Sequence, residues 1–353
     1  MAVILKKKGN FLEDFKVDSM LRHKVGRTLT EGLFNAFTEF SMTTNPLSKN
    51  RRYAERYGFD GMVAPPGLVM ALVFSQSVED ISENARANLE YIDVRFGVPV
   101  YIGDTIEAES LVLGVRPSSS NPQLGVVHVQ TTGRNQRGDV VLTYQRKVQV
   151  WRGSADAVVV EASAATIPTI ECQPWLPPYE PQAKYAELAH LTSADTYFED
   201  FVPGDTLEHW RGRVMTSEHI ALTAMLDNTS QVHCNQHMID QEPEKYLGGQ
   251  LIIFGGIPFN LCLGLSCPDV ADNAVSDISY TTGRHTAPIF AGDTVFATTE
   301  IRGKRDLEGR PDLGVLLTTL RGHKFVAQEG GYKKVEIFYL ERDIAVKRRS
   351  HYA

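Results

Sequence analysis

The chain repeats itself, and a duplication constrains a fold more tightly than composition does. Leu12-Glu13-Asp14-Phe15 returns as Phe198-Glu199-Asp200-Phe201, 186 residues on. Gly26-Arg27 returns as Gly212-Arg213, and Thr30 as Thr216, at the same offset. Pro99-Val100-Tyr101-Ile102-Gly103-Asp104-Thr105 returns as Pro288-Ile289-Phe290-Ala291-Gly292-Asp293-Thr294, 189 residues on. Matches in one order at nearly one spacing point to two copies of one folding unit. The copies are expected over residues 1–152 and 188–353, joined by 153–187. That link carries Pro168, Pro174, Pro177, Pro178 and Pro181. Proline at such density opposes helix and sheet and favours an extended tether. Trp175 and Tyr179 are the side chains expected to pin it.

The length of 353 residues suits two units, with 42% hydrophobic and 22% charged residues enough for an ordinary core. Thirty-six basic against 43 acidic residues leave a net charge of −7, which argues against general nucleic-acid binding. The apolar stretches 67–74 and 251–265 are short or broken, below the ~18 residues a membrane helix needs, so no membrane association is expected. Cys172, Cys234, Cys262 and Cys267 form no CxxC pair and read as idle thiols of a reducing cytoplasm. Lys6, Lys7 and Lys8 follow a very short apolar start, the reverse of a secretory signal, so none is expected.

Each copy shows the same order of elements. Short strands are expected near 20–30 and 206–215. A helix follows, begun by Thr30-Glu31 and by Thr216-Ser217-Glu218, where hydroxyl and carboxylate satisfy free amide donors. Leu33, Phe34, Phe37 and Phe40 form the apolar face of the first, and Ile220, Leu222 and Leu226 that of the second. Polar loops at 43–50 and 228–236 lead to a longer apolar helix, starting at Pro65-Pro66-Gly67 and at Gly255-Gly256. Alternating strands complete the copies at 94–96, 105–114, 126–134 and 140–151, then at 279–282, 293–301, 315–320 and 334–340. The class is α+β, each repeat a curved antiparallel sheet wrapped around a long helix.

This order resembles the double hot-dog form of the MaoC-like enoyl-CoA hydratases. Their loop G-D-x-N-P-x-H is represented in copy one by Thr43-Thr44-Asn45-Pro46-Leu47-Ser48, which keeps Asn-Pro but lacks Asp and His. Copy two has Asn228-Thr229-Ser230-Gln231-Val232-His233, which keeps His but has Asn228 in the Asp slot. The stretch from Ser77-Val78-Glu79-Asp80 to Arg86-Ala87-Asn88-Leu89, Arg134-Asn135-Gln136-Arg137-Gly138 and the Asn228–His233 loop resemble more closely the mesaconyl-CoA hydratases, also called β-methylmalyl-CoA dehydratases. The resemblance implies reversible, cofactor-free addition of water to a methyl-branched dicarboxylic enoyl-CoA.

Such a reaction needs a base for water, a proton for the α-carbon and donors for the thioester oxygen. By resemblance His233 is the base. Asn228 occupies the partner slot but cannot titrate. Asp227 could act as an acid only if the local helix is irregular, because neighbours on a helix point ~100° apart. The helix start after Gly255-Gly256 would supply the oxyanion donors, with Gly256 allowing close approach. Copy one lacks both ionisable slots and would shape the acyl end of the pocket. Arg51, Arg52 and Arg95 are candidates for the distal carboxylate. Arg284, Lys324 and Lys347-Arg348-Arg349 are candidates for the CoA phosphates. His285 would either line the pocket or end a strand in solvent.

His233 and His237 have the i, i+4 spacing of a metal pair, yet no further ligand stands nearby, and no metal is expected. Cys234 beside His233 is not read as a nucleophile pair, because adjacent residues in a chain rarely face each other. The rival readings are another (R)-specific enoyl-CoA hydratase, an acyl-CoA thioesterase and a non-catalytic acyl-CoA binding module. Exposed sheet edges in hot-dog assemblies suggest a homodimer.

Overall fold

The computed structural model describes residues 9–154, 156–178 and 186–353. Lys6 to Lys8, Tyr179 and Pro181, used above, lie outside the described residues. Copy one runs β1 (Met20–Arg22), β2 (Arg27–Thr28), α1 (Glu31–Ser41), α2 (Arg51–Arg56), α3 (Pro66–Gln76), β3 (Ala85–Phe96), β4 (Thr105–Pro117), β5 (Leu124–Arg134) and β6 (Val140–Trp151). After β7 (Ala162–Ser163) in the link, copy two runs β8 (Thr206–Glu208), β9 (Arg213–Val214), α4 (Glu218–Met225), α5 (Gln236–Gln241), α6 (Gly256–Ser266), β10 (Ala274–His285), β11 (Thr294–Asp306), β12 (Leu313–Gln328), β13 (Gly331–Lys347) and α7 (Arg349–Tyr352).

The strands form one antiparallel sheet in the order β1-β4-β5-β6-β3-β10-β13-β12-β11-β8. The halves join where β3 pairs with β10, Tyr280 facing Val94 and Gly283 facing Tyr91. Helices α3 and α6 are buried on all sides, because the sheet curls around both. Their apolar residues, together with those of β3 and β10, belong to one continuous core. A helix apolar all round is stable only in such surroundings.

The repeated motifs have repeated physical roles. The carboxylates of Asp14 and Asp200 each accept the N–H three residues earlier, from Phe11 and Tyr197, at 2.9 Å. Gly103 and Gly292 have φ of 97° and 96°, a left-handed turn that favours glycine. Arg213 donates to the Phe40 carbonyl at 3.1 Å, at the end of α1. Arg27 lies 3.1 Å from Asp227, beyond the end of α4. Each copy's arginine thus binds the C-terminal end of the other copy's helix, where positive charge is favourable.

A buried relay is duplicated as well. His23 Nδ1 lies 2.9 Å from Asp80 and Nε2 lies 2.7 Å from Ser110. His209 sits 2.7 Å from Asp269 and 2.8 Å from Thr299. Ser110 is fully buried, so this relay ties the outer strand to the sheet rather than attacking a substrate.

Some boundaries differ from the sequence expectation. Thr30 accepts the Leu33 N–H as a helix cap, but Ser217 makes no such bond and α4 is shorter. β3 and β10 start nine and five residues earlier than alternation suggests, because their first turns are ordered by pairing with β6 and β13. The link is not wholly a tether, since β7 pairs with β4 at Gly114 and Val115. Trp175 packs on Phe59 with ring centroids 4.6 Å apart.

The core of copy two contains an ion pair. Arg342 donates to both oxygens of Asp277 at 2.8 and 2.7 Å, and the Tyr280 hydroxyl donates to the same carboxylate at 2.5 Å. Removing one partner leaves a buried charge uncompensated. Asp277→Ala is expected to destabilise the protein by about 3–5 kcal/mol, read from urea unfolding.

Candidate active site

Copy two's loop after α4 is held in place by its own side chains. The chain leaves α4 through Asp227, whose φ is 60°, so Asp227 and Asn228 point in different directions. Asp227 faces Arg27. Asn228 turns inward, and its Oδ1 accepts the Ser230 N–H at 3.0 Å. That bond leaves the Asn228 Nδ2 group without a partner among the described residues. His233 Nδ1 lies 2.8 Å from the Ile252 carbonyl. A carbonyl only accepts, so Nδ1 carries the proton and Nε2 keeps its lone pair.

Asn228 and His233 line a cavity of about 380 Å³ at the junction of the copies. Copy one supplies Phe74 from α3, Val78 and Ser82 from the π-helical turn after it, and Asn88 and Tyr91 from β3. Copy two adds Phe254, Gly255 and His285. At the start of α6 the Ile257 N–H donates to the Phe254 carbonyl at 2.9 Å and Pro258 has no N–H, which leaves the Gly256 N–H at the positive end of the helix dipole. Gly255 rather than Gly256 lines the cavity. A Cβ on Gly255 would stand 2.5 Å from His285 Nε2, and one on Gly256 would meet the Phe254 ring at 2.6 Å. The lack of a side chain at Gly256 therefore serves packing of Phe254, while its N–H remains at the helix start.

His285 lines the wall, with Nε2 3.2 Å from the Tyr91 hydroxyl. Burial lowers the pKa of both His233 and His285 to about 4; for His233 the Ile252 carbonyl opposes the shift. Both rings are neutral at neutral pH. The surface they retain faces the cavity.

The other charged candidates lie elsewhere. Arg51 pairs with Glu55, Arg52 with Glu187 and Arg95 with Asp93, and Arg284 lies over the Tyr339 ring. None lines the cavity. Lys324 bonds Asp293 and the Pro288 carbonyl. Lys347 is buried against Tyr53 and Asn273, Arg348 bonds Asp306, and Arg349 bonds Asp200. Apart from Arg284, which has only the Tyr339 ring, each of these cations has a hydrogen-bond or ion-pair partner within the chain. Arg86, not singled out from sequence, is exposed and lies on the cavity wall. Asn88 and Tyr91 were also missed, although Asn88 matches Asp277, and Tyr91 matches Tyr280, at the repeat offset.

The corresponding space in copy one holds only about 120 Å³. There Ser48, in the place of His233, donates to the Val63 carbonyl at 2.7 Å. Asn45 donates to the carbonyls of Ala271 and Ala274. The loop keeps its structural bonds and has no base. Among the described residues no group of metal-ligating side chains occurs.

The sequence model of the mesaconyl-CoA hydratase family matches residues 3–318. The chain belongs to this family. It is 36% identical over 310 residues to a β-methylmalyl-CoA dehydratase of Chloroflexus aurantiacus, covering 87% of this chain and 86% of the relative. It is 32% identical to a mesaconyl-CoA hydratase of Cereibacter sphaeroides, covering 87% of each chain. A solved MaoC domain protein of Chloroflexus aurantiacus superposes with a TM-score of 0.85 at 31% identity, over 98% of this chain and 100% of that one. A Mycobacterium tuberculosis protein described as a double hotdog fold superposes with a TM-score of 0.76 at 19% identity, over 95% and 98%. This family member therefore has the double hot-dog fold, in the α+β class, and its named relatives are hydro-lyases. No described helix is long and apolar enough to cross a membrane.

Depressed histidine pKa values make stability depend on pH. His233, His285 and His323 are each lowered to about 4 in the folded protein. Between roughly pH 6.5 and pH 4 the unfolded chain binds more protons at these rings, so stability falls as pH falls. The urea midpoint is expected to decline through that window, and His233 should titrate well below 6 by NMR.

Proposed function

We propose that this protein reversibly hydrates mesaconyl-CoA to β-methylmalyl-CoA with His233 as base and acid. The observation that carries the reading is the His233 imidazole, neutral and fixed with Nε2 free toward the cavity. Water adds to the β-carbon as Nε2 takes its proton. Nε2 then returns that proton to the α-carbon on the same face of the alkene. The Asn228 Nδ2 group donates to the oxygen of the water, and in dehydration to the departing hydroxyl. Enolate charge on the thioester oxygen is met by the Gly256 N–H at the start of α6. Copy two is the catalytic copy and copy one shapes the acyl end. The reaction uses no metal or redox cofactor, since a neutral imidazole and a helix-terminal donor suffice for it. Arg86 at the cavity wall is the cation we assign to the CoA phosphates.

Two further assignments belong to this reading. The protein acts in the cytoplasm, supported by four unpaired cysteines, three of them buried. It acts as a homodimer, supported by the overhanging β12–β13 hairpin, which exposes Phe325, Val326 and Tyr332.

Loss of enoyl-thioester absorbance with mesaconyl-CoA, without release of thiol, is the expected result. Release of thiol would point to a thioesterase, and no turnover to a binding module. His233→Ala is expected to lower kcat by about 10²–10⁴-fold. Asp227→Asn should keep turnover within about threefold, since Asp227 faces Arg27 and not the cavity. A loss with Asp227→Asn as large as that of His233→Ala would return the acid role to Asp227.

A further inference from the structure

The two halves treat one arginine differently. Tyr280 on β10 faces Arg342 on β13, and Tyr91 on β3 faces Arg146 on β6, so the arginines are repeat equivalents. Arg342 has its carboxylate in Asp277. The equivalent of Asp277 in copy one is Asn88, which carries no charge.

Arg146 is fully buried. Its Nη2 donates to the Ser77 hydroxyl at 2.8 Å, and its guanidinium lies 4.3 Å from the centre of the Phe74 ring. Its Nε and Nη1 have no partner among the described residues, and neither does the side-chain amide of Asn88. The groups acting on its charge are the hydroxyls of Tyr144 and Tyr91 rather than any carboxylate. A guanidinium stays protonated when buried, so this is a positive charge without a counter-ion. Such a charge is unfavourable in a resting protein. Phe74, whose ring meets the guanidinium, and Tyr91, its cross-strand partner, line the cavity that His233 faces, and so does Asn88.

We propose that Arg146 and Asn88 form the subsite for the second carboxylate of the acyl group, which brings to Arg146 the negative charge that Asp277 brings to Arg342 in the other half. This rests on the reading of the substrate as a dicarboxylic enoyl-CoA. Asp277 shows how a carboxylate sits, with one oxygen on Nε and one on Nη2 of Arg342; on Arg146 Nε is unpartnered and Nη2, which has two hydrogens, gives one to Ser77. The Asn88 amide donates to the same carboxylate. In the free protein the Phe74 ring covers the guanidinium, and the carboxylate reaches it by moving that ring aside. A substrate with a plain alkyl end leaves Arg146 unpaired, so the subsite selects the dicarboxylic acyl group over a neutral one.

The test is Asn88→Asp, which gives copy one the internal carboxylate of copy two, with Arg146→Met as the second variant. Rates are measured with mesaconyl-CoA and crotonyl-CoA, and thermal midpoints without ligand. Both variants are expected to lower the kcat/KM ratio of mesaconyl-CoA over crotonyl-CoA by about 10²-fold. Both should raise the midpoint by about 2–4 °C, because each removes an unpaired buried charge. An unchanged ratio, or an equal loss with both substrates, overturns the proposal while leaving the hydratase reading in place. A wild-type protein that hydrates crotonyl-CoA but not mesaconyl-CoA overturns the substrate reading and this subsite together.

Discussion

The pairing of β3 with β10 is the contact on which the rest of the molecule depends. It joins two curved sheets edge to edge and removes the exposed strand edge that each half would otherwise present. It also brings α3 and α6 into one core, where each helix is shielded by the other's surroundings. The cavity follows from this junction. Asn228 and His233, from the loop after α4, and Gly255, before α6, line one side, and α3 and β3 supply the far wall. Neither half alone encloses it.

Duplication allowed the halves to diverge while the scaffold stayed common. Ser48 and His233 bond equivalent carbonyls, at Val63 and Ile252, so the loop geometry is the same with or without a base. Arg342 and Arg146 hold equivalent places, but only the first has a carboxylate in the chain. One half is thus electrically complete. The other retains an unmatched donor set beside the cavity, and structural and functional demands separate between two copies of one fold.

Much of the fold was legible because it was written twice. The Glu-Asp turn, the Gly-Asp-Thr turn and the Gly-Arg pair recur at nearly constant offset, and each has one local or cross-copy hydrogen-bonding role. The place of His233 on the cavity was legible for the same reason, since its slot could be aligned with that of Ser48. Asn228 against Asp227 was not, because the answer turns on one backbone angle at Asp227. That Arg51, Arg52, Arg95 and Arg284 lie off the cavity was not legible, because charge alone does not say where a cation sits or whether it is already paired. Arg52 and Arg95 look available in sequence, yet Glu187 and Asp93 bind them. Arg146 sits in an alternating strand among apolar residues and gives no local sign of importance.

The amino-acid sequence by itself determined the duplication, the α+β class and the loop that carries His233, because a repeat is read by comparing the order of residues in two stretches and periodicity from neighbouring residues, neither needing a contact in space. Tertiary structure decided which groups share a cavity, which tautomer His233 adopts and which arginine lacks a counter-ion. Those depend on contacts between residues that are not neighbours in the chain, such as His233 with Ile252 across the loop after α4 and Tyr91 with Arg146 across the sheet.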